Sequence, residues 1–128
     1  MDKVRFLFLA VGVAASLLPF PSAAQRIKVK EIREVYVKDF YSLEPESCTT
    51  RDVNLTHSGA RDFFLRSKLI DRKAMTDNYP EAPCWVMGTL KYKESLCDWR
   101  ISAGSTGFIK CNSRQWFFAC DSCEDLFK

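Results

Sequence analysis

The carboxyl-terminal third of the chain decides the fold: residues 84–123 read CWVMGTLKYKESLCDWRISAGSTGFIKCNSRQWFFACDSC. Runs rich in β-branched and aromatic residues alternate there with short polar segments of hairpin length. The runs are residues 84–93, 96–102, 107–112 and 115–120. Such short connections join antiparallel strands, whereas parallel strands need a long crossover. The stretch is therefore predicted to form an antiparallel meander.

Alternation along the first of these strands separates two faces. One face carries Cys84, Val86, Gly88, Leu90 and Tyr92. The intervening positions begin with Trp85 and Met87 and become polar toward the end of the strand, which indicates that the first face is the buried one. Because Trp85 and Met87 lie opposite it, the second face is expected to show some apolar area, while most of the remaining aromatic residues are expected in the core.

The segment before the meander predicts a strand, a helix and a connecting loop, in that order along the chain. Residues 55–67 form an amphipathic helix that Thr56 or Ser58 can cap, with Ala60, Phe63, Phe64 and Ser67 at helical spacing. Residues 34–40 favour a strand, and residues 71–83, with prolines at 80 and 83, favour a connecting loop. The predicted fold class is α+β: an antiparallel β-meander of about four to five strands packed with one amphipathic helix and stapled by disulfides.

The amino terminus has the three parts of a secretory signal peptide. Charged residues precede the apolar run 6–18, and the small residues 22–24 form a cleavage site. Cleavage is expected after Ala24, which leaves residues 25–128 as one small domain of a periplasmic or secreted protein. No later apolar run approaches the ~20 residues of a membrane span. A formal net charge of +3 without clustered Lys or Arg argues against nucleic acid as a partner.

The chain has six cysteines, and an even number in an exported protein predicts three disulfides. They are Cys48, Cys84, Cys97, Cys111, Cys120 and Cys123. Cys97 and Cys111 are equidistant from Gly104, at the centre of a predicted hairpin, so they are expected to be bonded to each other. Cys48 and Cys84 are then expected to pair with Cys120 and Cys123, in an order that the sequence leaves open.

The cysteines have two other interpretations. Cys120-Asp-Ser-Cys123 has the spacing of a thiol–disulfide motif, but a thioredoxin-like fold needs further strands after it and only five residues follow. A zinc site would need a second CxxC pair or several histidines, and His57 is the only histidine. Structural disulfides are favoured, and no metal or cofactor is expected.

The candidates for catalysis are few. His57 and Ser58 are neighbours, which does not by itself make a base and nucleophile pair. The acidic pairs Glu44 with Glu46 and Glu124 with Asp125 fall in a predicted loop and a terminal turn, without a pocket to separate their pKa values. The chain is therefore expected not to be an enzyme.

The segment 102–108, Ser-Ala-Gly-Ser-Thr-Gly-Phe, is the candidate binding element. A phosphate cradle would require a helix after the glycines, and a strand follows instead. A hairpin turn with a positive φ at Gly104 or Gly107 is one interpretation. The other is a small protruding polar loop that contacts a protein partner. The candidate partner-binding residues are Ser102, Gly104, Ser105, Thr106 and Phe108.

The chain resembles a group of small exported bacterial proteins, most of them uncharacterised, over about residues 52–123. The likeness is carried by APCxxxG at 82–88, WxIxAGxTG at 99–107 and CxxC at 120–123. These proteins are loosely similar to periplasmic immunity and inhibitor proteins. Segment 102–108 is also similar to the Ser-Gly loop of periplasmic lysozyme inhibitors, although the usual Ser-Gly order and the Tyr are absent. The resemblance implies a non-catalytic protein that inhibits an envelope-targeting toxin or a cell-wall hydrolase. A small thiol–disulfide protein and a structural envelope component stay as alternatives.

Overall fold

A computed structural model describes residues 26–127, so the predicted signal peptide lies outside the described residues. The regular elements are β1 (Ile32–Ser42), α1 (His57–Arg66), β2 (Lys68–Ile70), α2 (Arg72–Asn78), β3 (Cys84–Tyr92), β4 (Ser95–Ser102), β5 (Thr106–Cys111) and β6 (Arg114–Ala119). All neighbouring strands are antiparallel, in the order β1-β3-β4-β5-β6-β2. The α+β class is confirmed. Within residues 26–127 the sheet has six strands, more than expected, and two helices flank it.

The meander is confirmed, with every strand end within one residue of its predicted position. Its turns use Lys93, Ser105 and Asn112 in the left-handed region, with φ of 55°, 63° and 56°. The prediction of a positive φ at Gly104 or Gly107 is wrong. The β4–β5 connection is a three-residue turn whose last residue, Ser105, adopts the left-handed conformation, as turns of that length favour.

Strand β1 lies at one edge of the sheet, where it pairs with β3. Its register shifts between Arg33 and Tyr36, and Glu34 has φ 51° in this β-bulge. The bulged strand approaches β3 so closely that a Cβ on Gly88 would lie 1.7 Å from the carbonyl oxygen of Tyr36. Gly88 is therefore the residue that allows β1 to join the sheet.

The inner face of the sheet, defined by Val86, Trp99, Ile109 and Phe118, is covered by α1. Phe64 contacts both Trp99 and Phe118 with edge-to-face ring geometry, at centroid distances of 6.0 and 5.2 Å. Thr56 caps the helix, because its hydroxyl oxygen accepts a hydrogen bond from Gly59 N at 3.0 Å. The predicted helix is confirmed, with Thr56 rather than Ser58 as its cap.

Two elements depart from the sequence prediction. Helix α1 ends at Arg66, and Lys68–Ile70 forms the short strand β2 beside β6. The predicted loop 71–83 contains α2, whose first turn is capped by the Asp71 carboxylate accepting from Ala74 N at 2.7 Å. Because α2 has seven residues and none of them is buried, it carries no apolar periodicity that a sequence could reveal.

Three disulfides join the six cysteines. Cys97 and Cys111 are bonded across the sheet as expected, with Cα atoms 4.5 Å apart. The prediction that Cys48 and Cys84 pair with the terminal cysteines is wrong, because Cys48 bonds Cys84 and Cys120 bonds Cys123. The cause is the pairing of β1 with β3: Ser42 lies opposite Cys84, and its hydroxyl donates to the carbonyl of Cys48 at 2.7 Å.

Candidate binding site on the outer face

The outer face of the sheet, opposite α1, carries a row of half-buried side chains across four strands. In register, Met87 lies opposite Arg100, Arg100 opposite Phe108, and Phe108 opposite Phe117. Trp85 joins this row from β3, and its ring lies 5.1 Å from that of the half-exposed Tyr41 on β1. The apolar area expected on the second face is therefore present.

Arg100 is the charged group at the centre of this face. Its guanidinium carbon lies 4.0 Å from the centroid of the Trp85 ring and 5.5 Å from that of Phe108. Burial lowers the pKa of Arg100 below its ordinary value, although a guanidinium stays protonated in any ordinary buffer. Among residues 26–127 no carboxylate forms an ion pair with Arg100. The charge of the guanidinium is instead stabilised by contact with the faces of the Trp85 and Phe108 rings.

A cavity of about 330 Å³, here called the α2 cavity, opens beside Arg100. Helix α2 and residues 79–82 form one wall, with Met75, Pro80 and Glu81 among them. The outer face forms the other wall, which includes Trp85, Arg100 and Phe108. Its volume lies at the lower end of the range for small-ligand sites, and its walls combine aromatic rings with polar side chains.

The structure brings together three of the five predicted binding residues. Ser102, Thr106 and Phe108 line the α2 cavity, whereas Gly104 and Ser105 do not. The hydroxyl oxygens of Ser102 and Thr106 lie 3.0 Å apart and form one hydrogen bond. Whether these residues bind a partner stays a prediction.

The expected protruding loop is wrong as a description of shape. A Cβ on Gly104 would lie 2.9 Å from the carbonyl oxygen of Pro80, so the turn packs closely on the residues after α2. On its other side the carbonyl of Ser105 accepts from Cys120 N at 2.9 Å. The turn is half-buried and held at both sides, so it does not protrude from the sheet.

Sequence reasoning missed Trp85 and Arg100 as members of a site. A signal for Arg100 was present, because Arg100 and Phe108 are equidistant from Gly104, as Cys97 and Cys111 are. The same hairpin centre that predicts the disulfide therefore predicts the stacked pair of Arg100 and Phe108.

The indole Nε1 of Trp85 is buried and has no hydrogen-bond partner among the described residues. An unpaired donor of this kind costs about 1–3 kcal/mol.

The former candidates for catalysis have other partners. His57 accepts a hydrogen bond at Nδ1 from Val37 N at 2.9 Å, and its ring meets that of Tyr36 edge to face. The imidazole thereby supplies an acceptor for a backbone N–H group at the free edge of β1. Glu44 accepts from Ser47 at 3.4 Å, and Asp125 pairs with Arg66 at 2.9 Å. None of these carboxylates or the imidazole lines the α2 cavity.

The CxxC motif forms its own disulfide. Cys120 and Cys123 are 2% and 0% exposed, and Arg66 bridges the motif by donating to the carbonyl of Ser122 and to Asp125. Exchange requires an attacking thiolate to reach a sulfur atom, and burial of both residues opposes that approach.

The described residues also place the carboxylate of Asp52 beside the Cys48–Cys84 disulfide. Sulfur atoms that are bonded to each other do not supply thiolate ligands for a metal ion.

Comparison of the chain with protein-family models, with curated proteins and with solved structures finds no match. The resemblance to exported immunity and inhibitor proteins therefore stays a prediction. Within residues 26–127 no helix is long and apolar enough to cross a membrane. Three disulfides fit a chain that folds in an oxidising compartment.

Proposed function

We propose that the chain is an exported binding protein that inhibits a partner protein in the bacterial envelope, such as a toxin or a cell-wall hydrolase. The observation that carries the proposal is Arg100, a cation without a carboxylate partner among the described residues, stacked on Trp85 beside a cavity. Arginine and tryptophan at a partly buried site are the residues most enriched among binding hot spots. Localisation to the periplasm or the medium is part of the proposal.

The scaffold beneath the outer face favours tight binding. The disulfide Cys97–Cys111 joins β4 to β5, the two strands that carry Arg100 and Phe108. A surface held in one conformation loses little conformational entropy when it docks, so more of the contact energy appears as affinity. An inhibitor needs this property because it must occupy its target without being altered.

A thiol–disulfide protein is the alternative that one observation favours, because Cys120 and Cys123 are bonded to each other as in an oxidised CxxC motif. A structural envelope component, the remaining alternative, would have no discrete partner. Mild reduction separates the redox alternative from binding. A redox motif would be reduced selectively and would exchange with small thiols, whereas a buried structural disulfide would resist reduction until the protein unfolds.

Affinity capture tests the proposed function. The full chain is expressed with its export sequence, purified in the oxidised form, immobilised, and exposed to envelope and secreted fractions of a bacterial source. The proposal predicts capture of one toxin or hydrolase whose activity falls when the purified chain is added. Phe108→Ala is expected to weaken this inhibition at least tenfold. The matched control is Leu96→Ala at a 67% exposed position outside the α2 cavity.

Two results would contradict the proposal. One is capture of no discrete protein in repeated experiments with the folded, oxidised chain. The other is a captured enzyme whose activity is unaffected by the chain, or whose inhibition survives Phe108→Ala unchanged.

A further inference from the structure

We propose that the α2 cavity binds a side-chain carboxylate, from an Asp or Glu of the partner protein, through the guanidinium of Arg100. The inference rests on the proposed function and deepens it by naming the chemistry of the contact. It goes beyond the candidate residues predicted from the sequence, which did not include Arg100 or Trp85.

The guanidinium of Arg100 can donate hydrogen bonds only in its own plane. Trp85 and Phe108 contact the guanidinium through their rings, and these contacts leave its N–H groups, which lie in the guanidinium plane, for other partners. The described residues supply no hydrogen bond or ion pair to those N–H groups. A planar carboxylate matches two parallel N–H donors, which is the strongest pairing available to an arginine.

The charged side chains near Arg100 determine which occupants the α2 cavity attracts. Asp39 lies along the outer face, but its carboxylate accepts from Phe40 N at 2.8 Å. Asp98 is exposed and lies opposite Lys110 in the sheet. Glu81 is exposed and lines the far wall of the α2 cavity. Arg100 and Glu81 are therefore the charged side chains among the described residues that line the α2 cavity, and Arg100 is the one that attracts an anion.

Four hydroxyl groups line the cavity among the described residues, and those of Thr76 and Tyr79 donate to Arg72 and Asp121. Ser102 and Thr106 have two hydroxyl hydrogens between them, and their mutual hydrogen bond uses one. Gly104 N donates to Ser102 Oγ at 3.2 Å, so it uses an acceptor site and no hydroxyl hydrogen. One hydroxyl donor is left for an occupant, since the described residues supply no further acceptor for it. Met75 and Pro80 offer apolar contact for the methylene groups of a Glu side chain.

Nuclear magnetic resonance tests this site without knowledge of the partner. The probes are N-acetyl-glutamate amide, its neutral analogue N-acetyl-glutamine amide, and inorganic phosphate. Each is added to the ¹⁵N-labelled oxidised chain, and the Arg100 Nε–H and Trp85 Nε1–H signals are followed. The variants are Arg100→Gln and the control Lys110→Gln, which removes an exposed cation from the same face two residues from Phe108.

The proposal predicts saturable shifts with the glutamate probe, with a dissociation constant on the order of 10 mM for so small a ligand. The glutamine probe is expected to bind at least tenfold more weakly. Lys110→Gln is expected to bind the glutamate probe normally, and Arg100→Gln is expected to lose the Trp85 shift. No saturable shift, equal binding of the two amino-acid probes, or tighter binding of phosphate would each overturn the inference.

The partner experiment separates failure of the inference from failure of the proposed function. A captured and inhibited partner that Arg100→Gln still binds equally well would overturn the carboxylate contact and leave the inhibitor function standing. Binding of the glutamate probe together with repeated failure to capture a partner would overturn the inhibitor function and leave a carboxylate site in place.

Discussion

Trp85 and Trp99 lie on adjacent strands but on opposite faces of the sheet, and their surroundings differ. Trp99 is 1% exposed, its ring meets Phe64 edge to face, and its Nε1 donates to the carbonyl of Thr89 at 2.9 Å. Trp85 is half-buried, its Nε1 has no partner among the described residues, and a cation covers its ring. The inner face satisfies the donor of its tryptophan, whereas on the outer face the Trp85 donor and the guanidinium of Arg100 have no hydrogen-bond partner among the described residues.

This difference assigns separate roles to the two faces. Removal of an inner-face contact should lower the free energy of unfolding, because nothing outside the protein replaces it. Removal of an outer-face contact should change binding more than stability.

Gly88→Ala should be the most damaging substitution. The new methyl group would meet the carbonyl oxygen of Tyr36, a backbone atom that cannot rotate away, and also the ring of Trp99. We expect a loss of about 3 kcal/mol or more in the free energy of unfolding, measured by urea denaturation. Gly59→Ala at the start of α1 is the matched control, where a Cβ is 3.2 Å from the Thr56 hydroxyl and the cost should stay below about 1 kcal/mol. Equal costs at the two positions would contradict the observed approach of β1 to β3.

The two tryptophans give the next largest effect. Trp99→Phe removes a buried hydrogen bond and leaves a small cavity, so it should cost about 2–3 kcal/mol in the free energy of unfolding. Trp85→Phe should cost less than about 1 kcal/mol, because the loss of an unpaired donor offsets part of the smaller ring area. Both variants are compared in the same denaturation assay. A larger cost at Trp85 than at Trp99 would refute the division between the faces.

His57 offers a smaller effect at the edge where α1 meets β1. His57→Ala removes the acceptor for Val37 N and should cost about 0.5–1 kcal/mol. His57→Asn places an amide oxygen near the position of Nδ1 and should recover most of that stability. Hydrogen exchange of the Val37 amide reports the same bond, with faster exchange expected in the Ala variant only. Exchange that is unchanged in both variants would show that the imidazole does not protect this amide.

The smallest effect concerns the exposed contact between β2 and the CxxC turn. Lys68 pairs with Asp121 at 2.9 Å, which lowers the pKa of Asp121 and raises that of Lys68, and Tyr79 also donates to Asp121. Because the pKa of Asp121 is lowered in the folded chain, the ion pair stabilises the fold at pH values above 3.8, the ordinary pKa of the carboxyl group. Because the pKa of Lys68 is raised, the pair does so at pH values below 10.5, the ordinary pKa of the amine. The difference in Tm between the native chain and Asp121→Asn should be small between these values.

That difference should disappear as the pH falls through the lowered pKa of Asp121, because the native carboxyl group then becomes neutral. It should also shrink as the pH rises through the raised pKa of Lys68. Thermal scans at several pH values measure it. A difference that grows below pH 3.8 would have the wrong sign for this ion pair.

The meander could be predicted from the sequence because its strands are joined by hairpins, so alternation and turn spacing fix each register locally. The Cys97–Cys111 disulfide follows from the same geometry. The Cys48–Cys84 disulfide could not be predicted, because it depends on the pairing of β1 with β3 across 36 residues of chain. Helix α2 has no buried residue, and only its contact with the sheet reveals the cavity wall that it forms.

Part of the candidate site could be predicted because some of its residues are close in sequence. Ser102, Thr106 and Phe108 are close in sequence and share a turn, so a local pattern finds them. Trp85 enters only through the register of β3 with β4, and Arg100 stands out only once the absence of a carboxylate partner among the described residues is known. A sequence shows which residues carry charge but not which charges lack a partner after folding.

The most direct test of the division between the faces is to measure stability and partner affinity on the same Arg100→Gln protein. If the outer face is a binding surface, the free energy of unfolding should fall by no more than about 1 kcal/mol, the size of a partly exposed cation–π contact. Affinity for the captured partner should fall at least tenfold, about 1.4 kcal/mol. Lys110→Gln should leave the free energy of unfolding unchanged and should lower affinity much less than Arg100→Gln does. A large loss of stability with unchanged affinity would show that Arg100 supports the fold and that the outer face is not the binding surface.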